Sequence, residues 1–161
     1  IDLYDQQNGQ LQYITKGFCV DLMTPWGDGD VLGMDNISTI KNGGKVAWLL
    51  DTYWDEAVTD AAKAALQFAI WDTLYGLSDT GFDQFANFYS YGNEASEIDA
   101  LFAKYTTNIG TSDGKNYSIL RIDGQQDVII KNHPVPEPAT MLLFGVGLMG
   151  LAASQRRQRK K

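Results

Sequence analysis

Residues 141–153, Met-Leu-Leu-Phe-Gly-Val-Gly-Leu-Met-Gly-Leu-Ala-Ala, carry no charge and present no polar face. After Ser154 and Gln155 come Arg156, Arg157, Arg159, Lys160 and Lys161. A helix that packs against a soluble core needs one wet face, and this run has none. Pro136 and Pro138 stand just ahead of it and stop any helix from extending backwards, because proline lacks the N–H and restricts its predecessor. At about 1.5 Å per residue, a helix over 139–155 reaches about 25 Å, a little short of a hydrocarbon core of about 30 Å. Arg156 and Arg157 can snorkel across the difference, and the positive end stays on the cytoplasmic side. The expectation is a chain in four parts: a folded domain over 1–132, a linker over 133–138, a transmembrane helix over 139–155 and a basic cytoplasmic tail over 156–161.

Charge divides at the same place. Before His133 there are 8 Lys+Arg against 19 Asp+Glu, a net of -11; from His133 onward, 5 against 1, a net of +4; together they give the -7 of the chain. An acidic body excludes nucleic acid as a partner, since phosphate binding needs a basic surface. The basic cluster beside an apolar run points to a membrane. The single cysteine, Cys19, permits no intramolecular disulfide, and one Cys with one His gives zinc no ligand set, so neither metal nor cofactor is expected. The sequence starts at Ile1 without a signal peptide, and an export signal is expected to have been removed or to lie upstream.

The order Pro136-Glu137-Pro138, apolar helix, Arg/Lys cluster closely resembles the PEP-CTERM sorting signal. The resemblance implies recognition by an exosortase and cleavage near the Pro-Glu-Pro motif. It further implies an exported precursor anchored in the inner membrane, then delivery to the cell surface or to the exopolysaccharide matrix of a biofilm. It says where the protein goes and leaves open what it does.

In the body, residues 11–15 and 17–23 read as strands, and 24–36 as a Gly/Asp-rich loop followed by a short apolar run at 46–50. Residues 56–75 read as a helix that opens on Asp55 and Glu56, favourable at the positive end of the dipole, and stops at Gly76. A helical turn is expected at 83–91, and a second amphipathic helix at 94–107 with Ile98, Leu101, Phe102 and Tyr105 on one face and Gly110 after it. A hairpin closes the body, 117–122 and 127–131, turned at Asp123-Gly124. Strands, helices, strands is the order of an α+β fold with a mainly antiparallel, sandwich- or barrel-like sheet and an inserted helical part, followed by the sorting helix.

Two residues carry candidate chemistry. Cys19 lies in Gly17-Phe18-Cys19-Val20-Asp21 on a predicted strand, and Gln67 in Ala64-Ala65-Leu66-Gln67-Phe68-Ala69-Ile70-Trp71 on the long helix. A thiolate held against a Gln carboxamide displaces ammonia and leaves a thioester, provided the site excludes water. Ala64, Ala65 and Ala69 allow a strand to approach the helix closely. Read residue by residue, a lone Cys is more often a buried small hydrophobe and a helix Gln is usually a solvated position. The two blocks together resemble the thioester domain of bacterial surface adhesins, whose Thr-Gln-x-Ala-x-Trp signature is met here by Gln67, Ala69 and Trp71, with Leu66 in place of the Thr. The resemblance implies a Cys19–Gln67 thioester shielded by Phe18, Ala69 and Trp71. A partner amine, such as a protein Lys, attacks it once, so the protein is not a turnover enzyme.

The competing class is a non-covalent matrix or glycan-binding module with the same tail, using Phe85, Phe88, Tyr89 and Tyr91 to stack on sugars. Cysteine hydrolase chemistry needs a base, and His133, in the linker, is the sole histidine. Asp28 and Asp30 begin an EF-hand-like order that Leu32 and Thr39 break, and residues 41–45 form a turn without the P-loop spacing.

Overall fold

A computed structural model of the chain describes residues 2–7, 10–25, 27–76 and 95–132. The helical turn expected at 83–91, its aromatic residues and the whole sorting tail lie outside the described residues. No helix among the described residues is long and apolar enough to cross a membrane.

The architecture is α+β. The strands are β1 (Asp2–Gln7), β2 (Gln10–Cys19), β3 (Val31–Asn36), β4 (Tyr117–Ile122) and β5 (Val128–Lys131); the helices are α1 (Gly43–Tyr53), α2 (Asp60–Tyr75) and α3 (Ala95–Thr106). The sheet has the order β1-β2-β5-β4-β3, every pair antiparallel, with the three helices inserted between β3 and β4. Among the described residues no second sheet faces the first. Helices cover it instead, so the sandwich- or barrel-like expectation gives way to an open sheet with a helical layer.

Strand alternation separates two apolar sets. Phe18 lies opposite Ile129, which lies opposite Ile119, and all three enter the main core with Leu49, Leu50, Leu66 and Ile70 from α1 and α2. Cys19 lies opposite Val128, which lies opposite Leu120, on the other face with Leu3 and Ile122. α3 packs on α2, with Tyr105 buried against the Tyr53 ring at 4.3 Å between centroids.

Several elements differ from the sequence expectation for physical reasons. The two early strands are one, because Gly17 keeps the chain extended where any side chain would collide with β5: a Cβ there would sit 2.3 Å from Val128 Cγ1 and 2.7 Å from the Ile129 carbonyl oxygen. Residues 20–23 lie beyond its end. The expected loop over 24–36 ends in β3, an edge strand whose six residues are all exposed, so no buried face marks it in the sequence. The apolar run at 46–50 and the Gly43-Gly44 of the expected turn belong to α1, entered through Asn42 in the left-handed region at φ 57°. α2 starts at Asp60, not at residue 56, because the Thr59 side chain accepts from the Ala62 N–H at 3.1 Å and caps it. Asp55 and Glu56 instead pair with Lys131 and with Lys104 of α3. The stop at Gly76 (φ 66°) and the hairpin turn through Gly124 (φ 64°) are as expected, and Asn108 (φ 58°), not Gly110, follows α3.

Gly17→Ala is expected to cost about 1–3 kcal/mol by overpacking β2 on β5, seen as a lower urea midpoint with an unchanged slope.

Candidate functional site

Past Lys16, β2 has left its pairing with β1 and runs on beside β5, while α2 lies along its other edge. There the structure brings Cys19 and Gln67 together across 48 residues. The Cys19 N–H donates to Gln67 Oε1 at 2.8 Å, and Gln67 Nε2 donates to the Cys19 carbonyl at 2.8 Å. Oε1 and Nε2 share one carbon, so the two bonds set the carboxamide carbon opposite the Cys19 Cα. The thiol hangs from that Cα by way of Cβ. Eight residues further along α2, the Tyr75 hydroxyl donates to the Val20 carbonyl at 2.9 Å. α2 is therefore fastened at the last residue of β2 and at the residue just past it.

The strand end is also held from the β5 side. The Val20 N–H donates to the Asp127 carbonyl at 2.9 Å, and the Asp127 N–H donates to the Asp21 carboxylate at 3.0 Å. Arg121 bridges Asp35, at 2.8 Å from Nε, and Asp127, through Nη1. Cys19 thus sits on a segment clamped from both edges, and it is 4% exposed. Burial, with a smaller contribution from the Asp21 carboxylate, pushes its thiol up to about 11. The thiolate is scarce at neutral pH.

Of the proposed shielding residues, Phe18 is buried in the main core with its ring edge-on to Trp54, centroids 5.2 Å apart. It occupies the sheet face opposite to Cys19. Ala69 is fully buried in that core too, and two residues along a helix do not share a face with Gln67. Trp71 is one helical turn from Gln67 and partly buried, with its ring 5.8 Å from that of Phe68. Its indole Nε1 is buried and has no hydrogen-bond partner among the described residues. Tyr75, Asp21 and Asp127 went unassigned in the sequence. For Tyr75 a signal was there, since positions 67, 71 and 75 form one stripe at i, i+4, i+8.

Between β2 and the start of α2 is a cavity of about 490 Å³ lined by Lys16, Gly17, Phe18, Ala57, Val58, Asp60 and Lys63. Among the described residues no group of three or more His, Cys, Asp or Glu is placed to hold a metal ion. The Gly27–Asp30 segment packs on the hairpin instead, where the Asp123 N–H donates to the Asp30 carbonyl at 3.0 Å.

Residues 134–157 match the PEP-CTERM protein-sorting motif. The match indicates an exported precursor that passes a membrane and is sorted to the cell surface, and it implies exosortase as the processing partner. No curated protein and no solved structure matches the chain.

The carboxamide pairing makes a pH-dependent prediction. Gln67→Leu strands both the Cys19 N–H and C=O, at about 1–3 kcal/mol for each, and is expected to cost about 2–6 kcal/mol. Gln67→Glu sets a carboxylate oxygen against the Cys19 carbonyl, so its folded-state pKa rises above the unfolded value of about 4.3. The variant is then most stable below that value, where the protonated acid donates as the amide did, and loses stability as pH rises through the raised pKa. Urea midpoints at pH 4 and pH 7, compared with those of Gln67→Leu, report the difference.

Proposed function

We propose that residues 1–132 form a surface-displayed adhesion domain that attaches covalently to its partner through a Cys19–Gln67 thioester. The observation that carries this reading is the doubly hydrogen-bonded contact of the Gln67 carboxamide with Cys19, at 2.8 Å in each bond.

The chemistry follows from that contact. The Cys19 N–H polarises the Gln67 carbonyl and stays in place to receive the negative oxygen when sulfur attacks, the role of a backbone oxyanion donor. The Cys19 carbonyl holds the nitrogen that leaves. The S–C bond forms, the C–N bond breaks, and the thiol proton departs with the nitrogen as ammonia. The thiol belongs to the residue whose main chain holds the carboxamide, so attack is intramolecular and proximity replaces concentration, which offsets the scarcity of thiolate. In the second step a partner amine attacks the same carbon, the C–S bond breaks, and sulfur leaves with the proton that the amine gives up. A stable amide joins the two molecules, and the site is spent after one event. This is coupling and not turnover, so the protein is read as a non-enzyme.

Burial of sulfur favours durability. A thiol with a pKa near 11 is a poor leaving group, so water displaces it slowly. Sorting through the 134–157 motif supplies the place of action, at the cell surface or in the extracellular matrix after release from an inner-membrane precursor.

The intact mass of freshly folded chain, kept free of reductant and heat, tests the reading. A deficit of one ammonia in the parent, none in Cys19→Ala, and recovery of mass as methylamine at Gln67 are expected. Full calculated mass in the parent would refute the covalent reading and leave Gln67 as a cap on the strand edge.

A further inference from the structure

The cavity beside the contact has a shape that the thioester reading leaves unused. One wall is β2 before Cys19, with Lys16 and Phe18; the other is the first turn of α2 and the residues leading into it, with Val58, Asp60 and Lys63. Both walls lead to the same point. Along the strand, Lys16 is about 10 Å before Cys19 at about 3.3 Å per residue. Along the helix, Lys63 and Asp60 precede Gln67 by one and two turns, and i, i+4 and i+7 positions share a face. Toward the other end the trough is fastened by Gln67 on Cys19 and Tyr75 on Val20. The cavity's lining thus comes just before Cys19 on the strand and one to two turns before Gln67 on the helix.

Its position suits an incoming group. Phe18 lies on the cavity side of the sheet and Cys19 on the opposite face. The carboxamide lies at the strand edge between them. The cavity and the Cys19 side chain therefore lie on opposite faces of the sheet, with the carboxamide held at the edge between them.

We propose that this cavity is the acceptor subsite of the coupling reaction, and that its ligand is an extended peptide carrying a lysine flanked by acidic residues; the proposal rests on the thioester reading. Charge selects that ligand. The body is strongly acidic, yet two lysines and one aspartate line the cavity. Lys63 pairs with Asp60 at 3.0 Å, while Lys16 lies over the Trp54 ring, 5.5 Å from its centroid, without a carboxylate partner among the described residues. Acidic side chains of the ligand meet Lys16 and Lys63. Repulsion from the distant acidic surface is screened beyond about 8 Å at physiological salt. The lysine that reacts passes between like charges, which favours its neutral, nucleophilic form. The apolar part of the cavity, the buried Phe18 and Ala57 with the exposed Val58, receives the lysine stem. A volume of about 490 Å³ takes a few side chains, not a domain.

The test uses the full chain in freshly folded form with three probes: a peptide with one lysine among glutamates, the same peptide with glutamines, and methylamine. In the parent at low salt the glutamate peptide is expected to couple about tenfold faster than the glutamine peptide, the size expected of two exposed ion pairs. The double variant Lys16→Glu, Lys63→Glu is expected to lose or reverse that preference while methylamine labels it as fast as the parent. Val58→Trp is expected to slow both peptides and spare methylamine. Ammonia loss in each variant confirms that it folded and formed the bond, and Lys16→Gln serves if the double variant does not. Unchanged peptide preference in variants that have lost ammonia overturns the subsite and leaves the thioester standing. Absence of ammonia loss in the parent overturns both.

Discussion

An amide at the end of a long side chain does the work of a missing strand residue. Among the described residues β1 accompanies β2 only as far as Lys16, yet β2 runs on to Cys19. The Cys19 N–H and C=O point away from β5, because the neighbouring Val20 N–H points toward it. Left alone at a buried strand end, each would cost about 1–3 kcal/mol. The Gln67 carboxamide presents an acceptor and a donor at the spacing of a peptide group and satisfies both. Tyr75 repeats the device on Val20. The register of α2 on the sheet and the placement of the Gln67 carboxamide against the residue that carries the thiol depend on that exchange.

The same geometry explains why two faces of the sheet matter. Alternation sends Phe18 into the helix-covered core and Cys19 to the face shared with Val128 and Leu120. Packing of Phe18 on Trp54 fixes the strand, and the opposite pull of Asp127 and Asp21 keeps its end from fraying. The Asp21 of the Gly17-to-Asp21 block thus has a structural reason, since it holds Asp127, the residue leading into β5, against the end of the strand that carries sulfur.

How much of this was legible depends on whether a local rule applied. Gly76 and Gly124 mark left-handed positions, where glycine carries no steric cost, and both ends were read correctly from them. The Asp123-Gly124 turn and the apolar stripe of α3 were legible for like reasons. Three elements had no such mark. β1, Asp-Leu-Tyr-Asp-Gln-Gln, lacks alternation; β3 is exposed on both faces; and the two glycines that open α1 read as a turn. Gly43 is needed because a Cβ would sit 2.0 Å from the Ile37 carbonyl oxygen, a tertiary fact invisible in a local window. Cys19 and Gln67 were found through a resemblance of motifs. On the Cys19 side the hydrogen bonds run through main-chain atoms, which leave no trace in residue type, and the cavity has no periodic signature.

Burial of the sulfur has opposite consequences for the two halves of the proposed reaction. Raising the thiol to about 11 slows its attack on the amide, but that attack happens once and is intramolecular, so time and proximity suffice. The same shift makes sulfur a poorer leaving group afterwards, when the bond must survive export and a wet surface. Acceptors then divide by orientation. Water arrives without a binding site and meets a sluggish acyl carbon, whereas an amine held in the adjoining trough gains the effective concentration that water lacks. A bond of ordinary thioester reactivity in an open site would be hydrolysed before a partner was met. In the proposed reaction burial supplies the durability, and selectivity falls to the cavity.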